Sequence, residues 1–87
     1  MSRVITELEK TILLSTLIIT KGDMKKAISE DDIVLKFPMR QRKNVRRFLK
    51  KLVKDGYLVE SPPKTYRLSE EGFKIASKLL YEGGTFV

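Results

Sequence analysis

Apolar residues recur at helical spacing in two long stretches of the chain and at strand spacing only in short ones. From Ile5 to Thr20 neither Pro nor Gly interrupts strong helix material, and Gly22 stands just past the end as a stop. At about 100° per residue, Ile5, Leu8, Ile12 and Ile19 line one face of this first helix and Leu13, Leu14, Leu17 and Ile18 the opposite one. A surface helix needs one apolar face, so the second is covered either by the rest of the domain or by a partner subunit. From Arg40 to Asp55 the stripe is Val45, Phe48, Leu49, Leu52 and Val53, an i, i+3, i+4, i+7 pattern that fits a helix and not a strand. Gly56 is placed to close that helix in a left-handed cap.

Shorter signals fill the gaps. Asp23 to Ile28 reads equally as a short strand or a loop. Ser29, followed by Glu30, Asp31 and Asp32, supplies a capping hydroxyl and three carboxylates for the positive end of a helix, predicting a second helix over 30–36 with Ile33, Val34 and Phe37 apolar. Pro38 ends it, since proline disfavours helical geometry in the residue before it. Tyr57 to Glu60 and Thr65 to Leu68 carry aromatic and branched residues around Pro62-Pro63-Lys64, which predicts a hairpin over 57–68 with a wide tip. Ser69-Glu70-Glu71 repeats the helix-start chemistry before a fourth helix over 70–81, and Thr85 to Val87 are expected to fray. The outcome is an α+β domain spanning 1–87, with three helices, a two-stranded hairpin and a C-terminal fourth helix.

Composition narrows what such a domain does. The 87 residues are 41% hydrophobic, enough for one modest core. Neither Cys nor His occurs, which removes thiolate ligands, disulfides and the common forms of nucleophilic triad, catalytic zinc site and imidazole acid-base chemistry. The acidic clusters are consecutive residues at helix starts, where capping accounts for them. No enzyme, metal, cofactor or small-molecule ligand is expected. The apolar run Thr11 to Thr20 is about half of a membrane span, and no small-residue cleavage site follows it, so a cytoplasmic protein is expected.

Charge supplies the positive signal. The net charge is +7, yet nine of the eighteen Lys and Arg lie between Lys36 and Lys54 with no acid among them; the other nine against eleven Asp and Glu leave the remainder at −2. Solvated helices usually interleave signs to gain i, i+4 pairs, whereas this one accepts self-repulsion. B-DNA presents a phosphate every ~1.7 Å of axis, and cations that neutralise phosphates release counterions. The basic helix is therefore expected to meet a polyanion. Arg40, Gln41, Lys43, Asn44 and Arg47, in its first turns, are the candidates for reading base edges. Lys50, Lys51 and Lys54 are candidates for phosphate. Arg42 and Arg46, nearer the flanks, either touch phosphate or pair with Glu30 to Asp32; Gln41 could equally face the core.

Val45, Leu49 and Leu52, followed by Lys54-Asp55-Gly56-Tyr57-Leu58-Val59, resemble the recognition helix and first wing strand of the winged helix-turn-helix family of DNA-binding regulators. Thr65-Tyr66-Arg67-Leu68-Ser69-Glu70-Glu71-Gly72 is similar to the second wing strand and start of the last helix in many small repressors. The resemblance covers Ile5 to Tyr81. It departs in its long segment between helices one and two, its short helix two, and Pro38-Met39 before the recognition helix. It implies a third helix in the major groove of duplex DNA, a wing bringing Lys64 and Arg67 to the backbone or minor groove, and a homodimer, for which the two-faced helix one is the expected contact and helix four a further candidate. A sequence-specific transcription regulator is the first expectation. A phosphate-only architectural or replication-associated binder and a protein-interaction module in a larger assembly are the alternatives.

Overall fold

A computed structural model describes residues 5–83, which form four helices and a three-stranded antiparallel sheet. In chain order these are α1 (Glu7–Thr20), β1 (Ile28–Ser29), α2 (Glu30–Val34), a 3-10 turn (Met39–Gln41), α3 (Arg42–Lys54), β2 (Leu58–Ser61), β3 (Thr65–Leu68) and α4 (Glu70–Gly83). The fraying expected at Thr85 to Val87 lies outside the described residues.

Each boundary has a local cause. α1 begins at Glu7, not Ile5, because Thr6 caps it: its hydroxyl accepts from the Glu9 amide at 3.2 Å, and the Glu9 carboxylate accepts from the Thr6 amide at 3.0 Å. At the other end Lys21, at φ 55°, takes the left-handed position, and Gly22 follows it at φ 80°. Their amides donate back to Ile18 and Leu17, the pattern that closes a helix without orphan carbonyls. α2 stops at Val34, two residues short of the predicted end, and tightens through Lys36 and Phe37 before Pro38. α3 is entered through the 3-10 turn, so its regular part starts at Arg42 instead of Arg40, and it ends at Lys54. Gly56, at φ 87°, closes it as expected, with the Gly56 and Tyr57 amides donating to Val53 and Leu52.

The sheet order is β1-β3-β2. Leu58 pairs with Leu68 and Glu60 with Tyr66, while Ile28 takes the other side of Tyr66. The sequence predicts two strands; the third comes from the end of the segment that read equally as strand or loop. It covers part of an edge of β3 that a bare hairpin would leave open.

α1 is the centre of the domain. Ile12, Leu13, Leu14 and Leu17 are buried, and α4, α3 and the sheet all pack against the helix. Packing within the domain therefore accounts for Leu13, Leu14 and Leu17, and of that second face Ile18 alone stays open, 54% exposed. The remaining core is Ile28, Ile33, Val34, Phe37, Val45, Leu49, Leu52, Leu58, Tyr66, Leu68 and Ala76. No helix among the described residues is long and apolar enough to cross a membrane.

Candidate nucleic-acid interface

Val45, Leu49 and Leu52 are wholly buried and Phe48 and Val53 partly so, which fixes one side of α3 against the core. Burial of each such side chain contributes about 1.5–3 kcal/mol, enough to hold a helix whose outer side is self-repelling. On that outer side Lys43, Arg47, Lys50 and Lys54 fall in one sector and are exposed, with Asn44 and Lys51 beside them. No acidic residue lies on the helix. Arg40 and Gln41 precede it on the 3-10 turn, and Gln41, for which a core position was open, is exposed.

Several of these groups are already oriented. The Arg47 guanidinium carbon lies 5.6 Å from the centre of the Phe48 ring, and the Lys51 ammonium lies 6.0 Å from the same ring. Arg47 Nη2 also donates to Asn44 Oδ1 at 3.4 Å, so a candidate base reader and its neighbour are linked before any ligand arrives.

The flanking arginines have partners inside the domain. Arg42 Nε donates to the Phe37 carbonyl at 3.1 Å, tying the start of α3 to the segment after α2. Arg46 Nη1 donates to Glu30 Oε2 at 2.6 Å, and Arg46 Nη2 reaches Asp31 at 3.4 Å. Of the two roles open to Arg46, the structure places it in the internal pair. The hydrogen bond to Glu30 is the main reason its guanidinium sits above its ordinary pKa, with the charges of Glu30 and Asp31 adding to it. Glu30 Oε1 accepts a second hydrogen bond, at 3.0 Å, from the buried Tyr66 hydroxyl. Burial first, then the bond to Glu30, pushes that phenol well above its ordinary value.

The hairpin brings the last two candidates. Lys64, at φ 48°, sits exposed at the turn, and its carbonyl accepts from the Glu30 amide at 2.8 Å. Arg67 stands opposite Val59 and points away from the core side taken by Tyr66 and Leu68. The structure thus gathers the exposed groups of α3 on one helix face and holds Lys64 on a turn bonded to α2, while Arg42 and Arg46 are drawn into structural contacts. Sequence reasoning missed Glu30 as a buried hub. Its position beside Ser29 is explained by capping alone, and its partners lie sixteen and thirty-six residues away.

A second surface feature lies between α1 and α4. Ile18, Leu80 and Tyr81 are exposed around an open cleft of about 290 Å³ that Leu17 and Phe73 also line. Among the described residues no group of His, Cys, Asp and Glu is placed to hold a metal ion. No family model, curated protein sequence or solved structure matches the chain.

Proposed function

We propose that the chain binds duplex DNA as a winged helix-turn-helix regulator, with α3 in the major groove and the β2–β3 hairpin as the wing against the backbone. One observation carries this: an acid-free helix anchored by Val45, Leu49 and Leu52, with Lys43, Arg47, Lys50 and Lys54 on its open side. In this reading Arg40, Gln41, Lys43, Asn44 and Arg47 meet base edges. Lys50, Lys51, Lys54, Lys64 and Arg67 meet phosphates, while Arg42 and Arg46 hold the helix in place. A second copy associates through α1 and α4, whose exposed Ile18, Leu80 and Tyr81 favour that surface.

Selection of bound duplexes from a random pool, followed by a salt series on the winner, tests the proposal. Enrichment of one sequence is expected, with log K falling by about 0.9 per phosphate contact for each decade of salt. Binding without enrichment would leave the phosphate-only architectural role. Absence of duplex binding at physiological salt would shift the function to protein interaction through the Ile18, Leu80 and Tyr81 surface.

A further inference from the structure

We infer that Glu30 is a positioning residue that sets the hairpin and the basic helix in one fixed relation, so that both meet the same duplex together. The inference rests on the DNA-binding reading above. Its basis is that one residue makes three hydrogen bonds that join α2 to both the hairpin and α3. The Glu30 amide donates to Lys64 on the hairpin turn at 2.8 Å, Oε1 accepts from Tyr66 on β3 at 3.0 Å, and Oε2 accepts from Arg46 on α3 at 2.6 Å.

Helix capping does not require this arrangement. The Ser29 hydroxyl already accepts from the Asp32 amide at 3.1 Å, and Asp31 and Asp32 keep exposed carboxylates at the same helix start. Glu30 instead turns inward and is 5% exposed. A buried carboxylate is expensive unless it is paired and hydrogen-bonded. Electrostatics point the same way: a negative charge on the flank of a phosphate-binding face opposes binding, and its pairing with Arg46 also withholds a cation from DNA. What the fold gains is a second point of attachment. Near its C-terminal end α3 is joined to the start of α4 by the Ser69 hydroxyl, which donates to the Gly56 carbonyl at 2.6 Å. Glu30 ties α3 at Arg46, about 2.8 turns before Gly56, to the far end of the hairpin.

Glu30→Ala and Glu30→Gln remove the same charge, but the glutamine carbonyl still accepts from Arg46 and its amide still donates to the Tyr66 oxygen. Each variant is titrated against the duplex selected by the wild-type chain. Glu30→Ala is expected to bind at least about tenfold more weakly, as when a base contact is misplaced, and to lose preference over unrelated duplex. Glu30→Gln is expected to stay within about threefold of wild type, since a neutral hydrogen bond replaces a charged one. Equal effects of the two variants, in either direction, overturn the inference, because charge removal alone gives that result. If Glu30→Ala does not fold, Tyr66→Phe keeps the ring in the core and releases only the side-chain link to the hairpin, leaving the Glu30 amide on the Lys64 carbonyl. Lys64→Ala is then expected to cost less affinity in the Tyr66→Phe background than in wild type, and an unchanged cost overturns the inference. If wild type binds no DNA, the functional reading fails while the positioning role is still measured by amide exchange without DNA. Glu30→Ala, or Tyr66→Phe in its place, should speed exchange in both β3 and the first turns of α3. Faster exchange confined to α2 overturns it.

Discussion

α1 and α3 are 14 and 13 residues long, and the chain treats them in opposite ways. α1 is packed by α4, α3 and the sheet, so polar groups carried into the interior must be satisfied close by. They are: the buried Thr16 and Thr20 hydroxyls donate to the carbonyls of Ile12 and Thr16 at 2.8 and 2.9 Å, and Glu9 accepts from Thr6. α3 is packed on one side only, and the cations on its other side have no acid on their own helix to pair with. The difference separates two uses of polarity. Inside α1 it is local and self-satisfied; on α3 it faces outward with no acid on the same helix, and Arg42 and Arg46 are drawn into the domain through side-chain hydrogen bonds to other segments.

The sharpest way to break that comparison is to truncate one side chain from each helix and follow urea denaturation. Leu13, fully buried, is expected to cost about 2–5 kcal/mol on replacement by Ala. That is a large fraction of the roughly 5–15 kcal/mol typical of a folded domain. Lys50→Ala on the open side of α3 should stay within about 0.5 kcal/mol of wild type, while under the proposed DNA-binding role its effect should appear as a salt slope of affinity reduced by about 1. A Lys50 variant as damaging to stability as the Leu13 variant would show that the outer face of α3 serves the fold and not a ligand.

Much of this contrast was legible in the sequence, for physical reasons. The α3 stripe was readable because helical periodicity is local, and Val45, Leu49 and Leu52 are all fully buried. Caps were readable for the same reason: Ser29 and Ser69 accept the amides of Asp32 and Gly72, and Gly56 adopts the left-handed cap. What failed depended on partners far away in the chain. β1 exists because Ile28 and Ser29 meet Tyr66 and Thr65, and two residues carry no period of their own. The second face of α1 could not be assigned because its cover, α4, arrives some fifty residues later. Lys21 takes the first left-handed position ahead of Gly22, although glycine is the residue that local sequence favours there. Of the candidate interface, the residues on the open side of α3 were readable from spacing alone. The role of Arg46 was not, since both of its options fitted the same position on the helix.

Gly72→Ala sharpens the comparison from the side of the cover. A Cβ at Gly72 would lie 1.9 Å from the Tyr57 carbonyl oxygen, which is backbone and cannot swing aside. The first turn of α4 must then move, and α4 is what packs on α1. The expected cost is about 1–3 kcal/mol, as for an overpacked core. Because α3 does not depend on α4 to hide its outer face, exchange should rise more in α1 and α4 than in the first turns of α3. Uniform acceleration would mean that the two helices are not separately supported.

The smallest expected effect concerns pH and the link that steadies α3. The Tyr66 phenol is raised above its ordinary 10.0 in the folded chain, by burial first and by the Glu30 hydrogen bond second. For a group raised on folding, the stabilisation is fully present below the unfolded pKa and is lost as pH climbs toward the folded one, because the unfolded chain gives up the proton first. Stability should therefore fall as pH passes about 10, in the direction that unfolding releases a Tyr66 proton. Tyr66→Phe lacks both the hydrogen bond and the proton. It should start about 1 kcal/mol below wild type at neutral pH, the usual worth of one hydrogen bond, and the gap should close as the wild type loses its advantage at alkaline pH. Urea midpoints of the two proteins at a series of pH values measure the gap directly. If it stays constant through pH 10 and above, the Tyr66 hydroxyl does not depend on a buried, hydrogen-bonded neutral form, and Glu30 holds α3 through Arg46 without help from the hairpin side chain.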